Sequence, residues 1–202
     1  MISAFIHGII LAFGLILPLG PQNVFVFTQG ATQPRLFYAL PIALVASLSD
    51  TLLILLAVLG VSVVVLSLPW VKTVLVVAGV LFLCYIGWIT WKSDEETNGK
   101  SNNASNWSLK QKIMFTLSVS LLNPHAILDT IGVIGTSSLS YTGLDKVVFT
   151  LTCISVSWLW FFTLTVVGRL VGTFKHTRKM FNRVSAVIMW LSALYLVYNF
   201  TN

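Results

Sequence analysis

Two aspartates lie in strongly apolar stretches of this chain, where a carboxylate is costly. Asp50 lies about 14 residues into the stretch 36–59, and Asp129 lies in the stretch 113–137. An aspartate at the centre of a membrane helix costs about 2.5–3.5 kcal/mol on insertion scales. No lysine or arginine occurs in the middle of an apolar stretch to neutralise either side chain. Each aspartate could bind a cation or cationic substrate, carry a proton, or pair with internal donors, and the lack of cations favours recognition of a positive ligand coupled to protonation.

Two polar interruptions, each with a proline, also indicate a site. Proline removes a backbone donor and clashes with the carbonyl four residues earlier, and in lipid the freed carbonyl must be satisfied by protein, water or ligand. One interruption alone is typical of an ordinary kink, whereas two at corresponding positions indicate discontinuous helices around a midplane site. The residues concerned are Pro21, Gln22 and Asn23 in the first apolar stretch and Asn123, Pro124 and His125 in the fourth.

Other side chains in these stretches have interpretations that the sequence leaves open. His125 could titrate near neutral pH, or it could only donate a hydrogen bond into the second interruption. Trp158 and Trp160 lie in the middle of their stretch, where packing is favoured over an aromatic wall against an ammonium group. Gly132 and Gly135 permit close helix contact within or between chains, so a homo-oligomer stays open.

The elements that must position these residues are membrane helices. Of the 202 residues, 56% are hydrophobic and 9% are charged, whereas roughly 25% of the residues in a soluble domain are charged. A helix needs about 20 apolar residues to cross a bilayer. Six such stretches occur, at residues 2–27, 36–59, 69–91, 113–137, 146–172 and 184–200. The sequence therefore predicts an all-α membrane protein with six transmembrane helices.

A polar segment divides the six predicted spans into two halves. Residues 92–112 have no apolar periodicity and predict a cytoplasmic linker between a first repeat, 1–91, and a second repeat, 113–202. Because each half has three spans, the second half enters the membrane from the side opposite to the first. We therefore expect two inverted three-helix repeats with broken helices at the midplane, the arrangement of many secondary transporters.

The basic residues predict the orientation in the membrane. Ten of the twelve lysines and arginines fall in loops on one side, and Lys72 and Lys146 fall on the other. Loops rich in lysine and arginine stay in the cytoplasm, so both termini are predicted to lie outside a bacterial cytoplasmic (inner) membrane. The N-terminus lacks the basic region of a cleaved signal peptide, which predicts that the first helix is retained.

Several other classes of protein are disfavoured. The net charge of +6 is carried mostly in short loops, which indicates a topology signal and not a nucleic-acid surface. Cys84 and Cys153 lie in apolar stretches without metal-ligand spacing, so neither a disulfide nor a metal site is predicted. No nucleophile–base pair or HExxH motif indicates an intramembrane enzyme, and no cofactor is predicted.

Two motifs and Asp50 resemble the lysine exporter (LysE/ArgO) family of bacterial amino-acid efflux proteins. The motifs are LPLGPQNVFV at residues 17–26, followed by Gln29 and Gly30, and LNPHAILDT at residues 122–130. Chain length and six-span hydropathy fit the family along essentially the whole chain. The motif pair resembles the lysine/arginine branch more than the homoserine/threonine branch.

The resemblance implies efflux of L-lysine, L-arginine or a similar amino acid, driven by the proton-motive force. The amino acid would lie between the two helix breaks, with its carboxylate at a half-helix N-terminus. Asp50 and Asp129 would attract its positive charge, and one of them would exchange a proton in an antiport cycle while the two halves rock about the site. The expected substrate-binding residues are Pro21, Gln22, Asn23, Asp50, Asn123, Pro124, His125 and Asp129.

Two alternative cargoes stay open beside the basic amino acids. Neutral amino acids would use the same carboxylate and ammonium contacts. Divalent cations are also open, since some relatives in the family export metal ions. They are disfavoured because hard cations prefer about six or more oxygen ligands, and a third membrane carboxylate is lacking.

Overall fold

A computed structural model describes residues 1–17, 20–60, 108–121, 126–127 and 130–171, together with separate residues between 70 and 91 and between 183 and 198. These residues form helices and no strand. Helices α1 (Ile2–Ile16), α2 (Pro21–Thr32) and α3 (Leu36–Val58) come first. They are followed by α4 (Leu109–Leu121), a π-helical segment π1 (Thr130–Gly135), α5 (Thr136–Ser138) and α6 (Gly143–Val171). The predicted all-helical class is confirmed for this part of the chain.

The described helices include several that could cross a membrane. Helices α3 and α6 are each long and apolar enough, and the bent pair of α1 and α2 is a third candidate. The predicted spans 36–59 and 146–172 correspond to α3 and α6. The predicted spans 69–91, 113–137 and 184–200 include residues outside the described ranges, so the six-helix inverted repeat stays a prediction.

The first predicted span, residues 2–27, is two helices and not one. Helix α1 ends at Ile16, α2 runs from Pro21 to Thr32, and the chain bends by 80° between them. Gly20 before the break has extended backbone angles, φ −76° and ψ 173°. Pro21 takes the first helical position of α2, where a missing N–H costs nothing because no intrahelical acceptor is available there. The helix break expected at Pro21 is therefore present.

Local capping sets two other helix ends. The Ser108 hydroxyl accepts the Gln111 N–H at 3.3 Å, and the Gln111 side chain accepts the Ser108 N–H at 2.8 Å, which together form a capping box. Helix α4 therefore begins at Leu109, inside the last residues of the predicted linker 92–112. Residues 92–107 of that linker lie outside the described ranges. Helix α3 ends where Gly60 adopts a left-handed φ of 75°, as helix C-termini commonly do.

Helix α6 packs against α1, α2 and α3, the described helices of the first two predicted spans. Phe149 joins Ala12 of α1 and Ile54 of α3 in one buried cluster. Phe161 joins Val26 of α2 in a second buried cluster. A helix assigned by sequence to the second repeat therefore lies among the helices of the first repeat.

Two contacts join the start of the chain to the segment before α6. The Met1 ammonium group lies 2.5 Å from an Asp145 carboxylate oxygen. His7 Nδ1 lies 2.8 Å from the Tyr141 hydroxyl, and the His7 ring packs against Phe149. The N-terminus and the segment that leads into α6 therefore lie at the same end of the bundle, as the predicted topology requires.

The described residues of the third and sixth predicted spans contact each other. The Trp190 indole N–H donates to the Cys84 carbonyl at 3.4 Å. Gly87 lies directly against the Trp190 ring, so a Cβ at this position would overlap the indole. Trp91 packs against the same ring, and the Arg183 guanidinium lies 5.5 Å from the Trp91 centroid.

Helices α2 and α6 approach each other at two glycines, which we call the Gly30–Gly168 seam. A Cβ on Gly30 would overlap the Thr165 carbonyl, and a Cβ on Gly168 would overlap the Phe27 carbonyl. Small residues at such positions let membrane helices pack at backbone distance. The Arg169 guanidinium, beside the seam, donates to the Gln33 carbonyl at 2.7 Å and so satisfies the C-terminal end of α2.

Replacing Gly30 with alanine tests the seam. Because the added methyl group meets backbone, we expect Gly30→Ala to destabilise the protein by about 1–3 kcal/mol. The measurement is thermal unfolding of the purified protein in detergent. Gly14→Ala is the matched control, since nothing lies within 4 Å of a Cβ there. That control should be neutral or slightly stabilising, because alanine favours a helix. Equal melting temperatures for the two variants would contradict the seam.

Candidate functional site

Asp50 lies where α2, α3 and α6 meet, and each of its carboxylate oxygens accepts one hydrogen bond. The Gln22 side-chain Nε2 of α2 donates to Oδ1 at 3.1 Å. The Ser157 hydroxyl of α6 donates to Oδ2 at 2.8 Å. Both donor residues are buried, with 7% and 3% of their surface exposed. Two of the expected site residues, Gln22 and Asp50, are therefore in contact, and Ser157 is an additional residue beside them.

Both donors to Asp50 are neutral. The ion pair between Met1 and Asp145 lies at the far end of α6 and does not involve Asp50. An amide and a hydroxyl satisfy part of a carboxylate's hydrogen-bonding capacity without cancelling its charge. The carboxylate of Asp50 can therefore still bind a cationic partner or a proton.

Asn23 holds the helix break in place. Its side-chain Nδ2 donates to the Ile16 carbonyl at 2.9 Å, which satisfies one of the carbonyls left free where α1 ends. Pro21 and Asn23 are both buried. The first intrahelical bond of α2 runs from the Val24 N–H to the Gly20 carbonyl. The backbone N–H groups of Gln22 and Asn23 therefore precede that ladder at the positive end of the helix.

A second hydrogen bond joins α3 and α6 next to Asp50. The Trp158 indole N–H donates to the Thr51 hydroxyl at 3.0 Å, and that hydroxyl donates to the Ser47 carbonyl at 2.8 Å. The Trp158 ring also packs against Phe162. Trp158 therefore makes a specific hydrogen bond beside Asp50. The sequence had favoured packing alone for this side chain.

Ser157 was not expected from the sequence, although one pattern could have pointed to it. Thr150, Ser157 and Thr165 are all buried and recur every seven or eight residues along α6. Residues at that spacing share one face of a helix. A polar stripe of this kind in a membrane helix faces protein, so it marks the face that meets α2 and α3.

The second half of the predicted site lies outside the described residues, namely Asn123, Pro124, His125 and Asp129. Residues before, within and after this segment pack against α3. Ile127 and Ile131 lie in a buried cluster with Leu53 and Ala57, within two turns of Asp50 along α3, and Leu121 packs against it. The π-helical segment π1 begins at Thr130, and π-helical turns are frequent at functional sites.

The known proteins to which this chain is similar are named as translocators, amino-acid transporters or exporters. The sequence model of LysE type translocators matches residues 13–200. The chain is 53% identical over 196 residues to "Putative amino-acid transporter YisU" of Bacillus subtilis (strain 168), covering 96% of this chain and 88% of that one. It is 37% identical over 203 residues to "Arginine exporter protein ArgO" of Salmonella typhi, covering 97% and 94%. The protein of the same name in Escherichia coli O157:H7 is 36% identical with the same coverage. No solved structure matches.

The two tryptophans of α6 offer a matched test of the contact beside Asp50. We expect Trp158→Phe to lower the free energy of unfolding by about 1 kcal/mol, because the substitution removes the hydrogen bond to Thr51 and keeps an aromatic ring. Trp160→Phe should be neutral or stabilising, because the Trp160 indole N–H is buried without a partner among the described residues. Melting temperatures in detergent provide the measurement, with about 2–4 °C expected per kcal/mol. A larger loss for Trp160→Phe would contradict the assigned contact.

Proposed function

The chain belongs to the family of LysE type translocators, and from this membership we propose that it is a secondary active exporter of L-lysine or L-arginine coupled to the proton-motive force. The chain is a transporter and not an enzyme. Its membership and the names of its relatives support amino-acid export by a multi-pass protein of the bacterial inner membrane. The basic substrate and the coupling to protons are the parts that we propose.

The observation that carries the proposal is the neutral surrounding of Asp50. A membrane carboxylate held by an amide and a hydroxyl keeps its negative charge available. A ligand ammonium or guanidinium group would supply the missing positive charge. The names of relatives that export arginine, at 36–37% identity over nearly the whole chain, support a basic substrate.

The N-terminus of α2 supports a contact with the substrate carboxylate. Backbone N–H groups at the first turn of a helix favour an anion, and here that turn begins at Pro21 beside the chain break. Gln22 projects from the same turn to Asp50, so the anionic and cationic groups of an amino acid would meet adjacent parts of one site. Asn23 contributes through the structure of the break, because its side chain holds the end of α1.

The second break completes the proposed site. We propose that Asn123, Pro124, His125 and Asp129 approach the substrate from the opposite side. The packing of Ile127 and Ile131 against α3 supports this, since it holds the middle and the end of the segment close to the helix that carries Asp50. Asp129 would then offer a second carboxylate for the substrate charge or the proton.

The transport cycle that we propose exchanges protons for substrate at these carboxylates. Protons that enter from outside would neutralise the carboxylate of Asp50 or Asp129. The cationic group of the substrate would then be released to the outside. Deprotonation on the cytoplasmic side would restore the charge for the next substrate. The surplus of basic residues in the predicted cytoplasmic loops supports an orientation with both termini outside.

Replacing Asp50 with asparagine tests the proposed function. We expect Asp50→Asn to reduce export of lysine and arginine at least tenfold, because the amide keeps the shape and removes the charge. The measurement is efflux of radiolabelled amino acid from cells loaded with lysine- or arginine-containing dipeptides, with protein quantified in the membrane. A protonophore should abolish the efflux of the wild-type protein.

The control carries the same substitution outside the site. Asp145 is 45% exposed and pairs only with the Met1 ammonium group, and an exposed pair of this kind contributes little to stability. Asp145→Asn should therefore export at the wild-type rate. Full export by Asp50→Asn would refute the role of this carboxylate. If the protein exports only neutral amino acids, the assignment as an amino-acid exporter stands and the proposed basic substrate is wrong.

A further inference from the structure

We infer that Ser157 is a positioning residue for Asp50, which holds the carboxyl group in one orientation in both its charged and its protonated form. The inference rests on the proposed function, in which Asp50 exchanges a proton. Ser157 lies 107 positions along the chain from Asp50 and reaches it from a different helix. The contact is therefore a product of the fold and not of local sequence.

The hydroxyl of Ser157 departs from the pattern of its own helix. Four other hydroxyls of α6 donate to the carbonyl four residues earlier, at 2.7–2.8 Å; they belong to Thr150, Thr152, Ser155 and Thr165. That local bond is the usual one for a hydroxyl in a membrane helix. Ser157 instead donates across the helix interface to Asp50. A hydrogen bond to a charged group is about twice as strong as one between neutral groups, which explains why the Ser157 hydroxyl bonds to Asp50 and not to its own helix.

The two donors to Asp50 have different chemical capacities. The Gln22 nitrogen that faces Oδ1 can only donate, so Oδ1 is the acceptor as long as this amide orientation is kept. A serine hydroxyl can both donate and accept. The carboxyl proton therefore belongs on Oδ2, where Ser157 can accept it.

The Ser157 oxygen can serve both protonation states of Asp50. It donates to Oδ2 of the carboxylate, and it can accept from Oδ2 once the carboxyl group is protonated. With the Gln22 N–H at Oδ1, both protonation states of Asp50 then keep two hydrogen bonds, and the carboxyl group stays fixed for its ligand.

The first test is the pH dependence of export in three variants. We expect Ser157→Ala to lose about tenfold in export rate, the size of one lost hydrogen bond to a charged group. We also expect its pH midpoint of export to move by about half a unit or more, since one pH unit corresponds to about 1.4 kcal/mol. Ser157→Thr keeps the hydroxyl and should lie closer to the wild type in both measures.

The matched control is Ser155→Ala, on the same helix. Its hydroxyl is exposed and donates to the Leu151 carbonyl, so the rate and the pH midpoint of export should stay those of the wild type. If Ser157→Ala has the same pH midpoint as Ser155→Ala, the positioning role is wrong, whatever the rates. Membrane protein levels, measured in parallel, normalise each rate.

The second test needs no knowledge of the substrate. Infrared difference spectra of the purified protein, recorded across a pH titration, contain a carboxylic C=O band for Asp50 that is identified by its loss in Asp50→Asn. We expect this band to move to higher frequency in Ser157→Ala and to stay in place in Ser155→Ala. An unmoved band in Ser157→Ala overturns the inference. A wild-type protein that exports no amino acid overturns the proposed function instead, and the infrared band still decides the role of Ser157.

Discussion

A carboxylate in lipid must be surrounded by hydrogen-bond donors, and Asp50 obtains its donors from helices on either side of it. An unsatisfied buried polar group costs about 1–3 kcal/mol, and a charged one costs more. Gln22 can reach Asp50 only because α2 begins at the chain break, and Ser157 can reach it only because α6 lies between the helices of the first half. The break at Pro21 and the central place of α6 are thus both conditions for keeping one charge inside the membrane.

The packing of α2 meets a second requirement, which is that helix ends leave free backbone groups. Asn23 satisfies the end of α1, and Arg169 satisfies the end of α2. The Gly30–Gly168 seam brings α6 close enough for Arg169 to do so. The interface between α2 and α6 therefore combines a close backbone approach at the seam with a polar contact at the end of α2.

The sequence predicts those features whose cause is local. Asp50 is conspicuous because its neighbours are apolar, and the helix break is conspicuous because proline and glycine are adjacent. Ser157 was not predicted, because a serine in an apolar helix normally bonds to its own backbone, and the stripe of Thr150, Ser157 and Thr165 indicates a helix face but not the partner of any one hydroxyl. The partner of Asp50 depends on which helices pack together, and the division into two halves gave no sign that α6 packs among α1, α2 and α3. The predictions for Asn123, Pro124, His125 and Asp129 stay predictions, as does the six-helix inverted repeat.

The distance along the chain between Asp50 and Ser157 also has a consequence for biosynthesis. The 107 positions between the two residues correspond to roughly 5–20 s of translation at about 5–20 residues per second. During that interval α2 and α3 have left the ribosome while α6 has not yet been made. The insertion machinery must therefore keep Asp50 hydrated, protonated or shielded until its last donor arrives. A nascent chain that stops before residue 143 contains the carboxylate of Asp50 but none of α6, and so lacks the Ser157 donor.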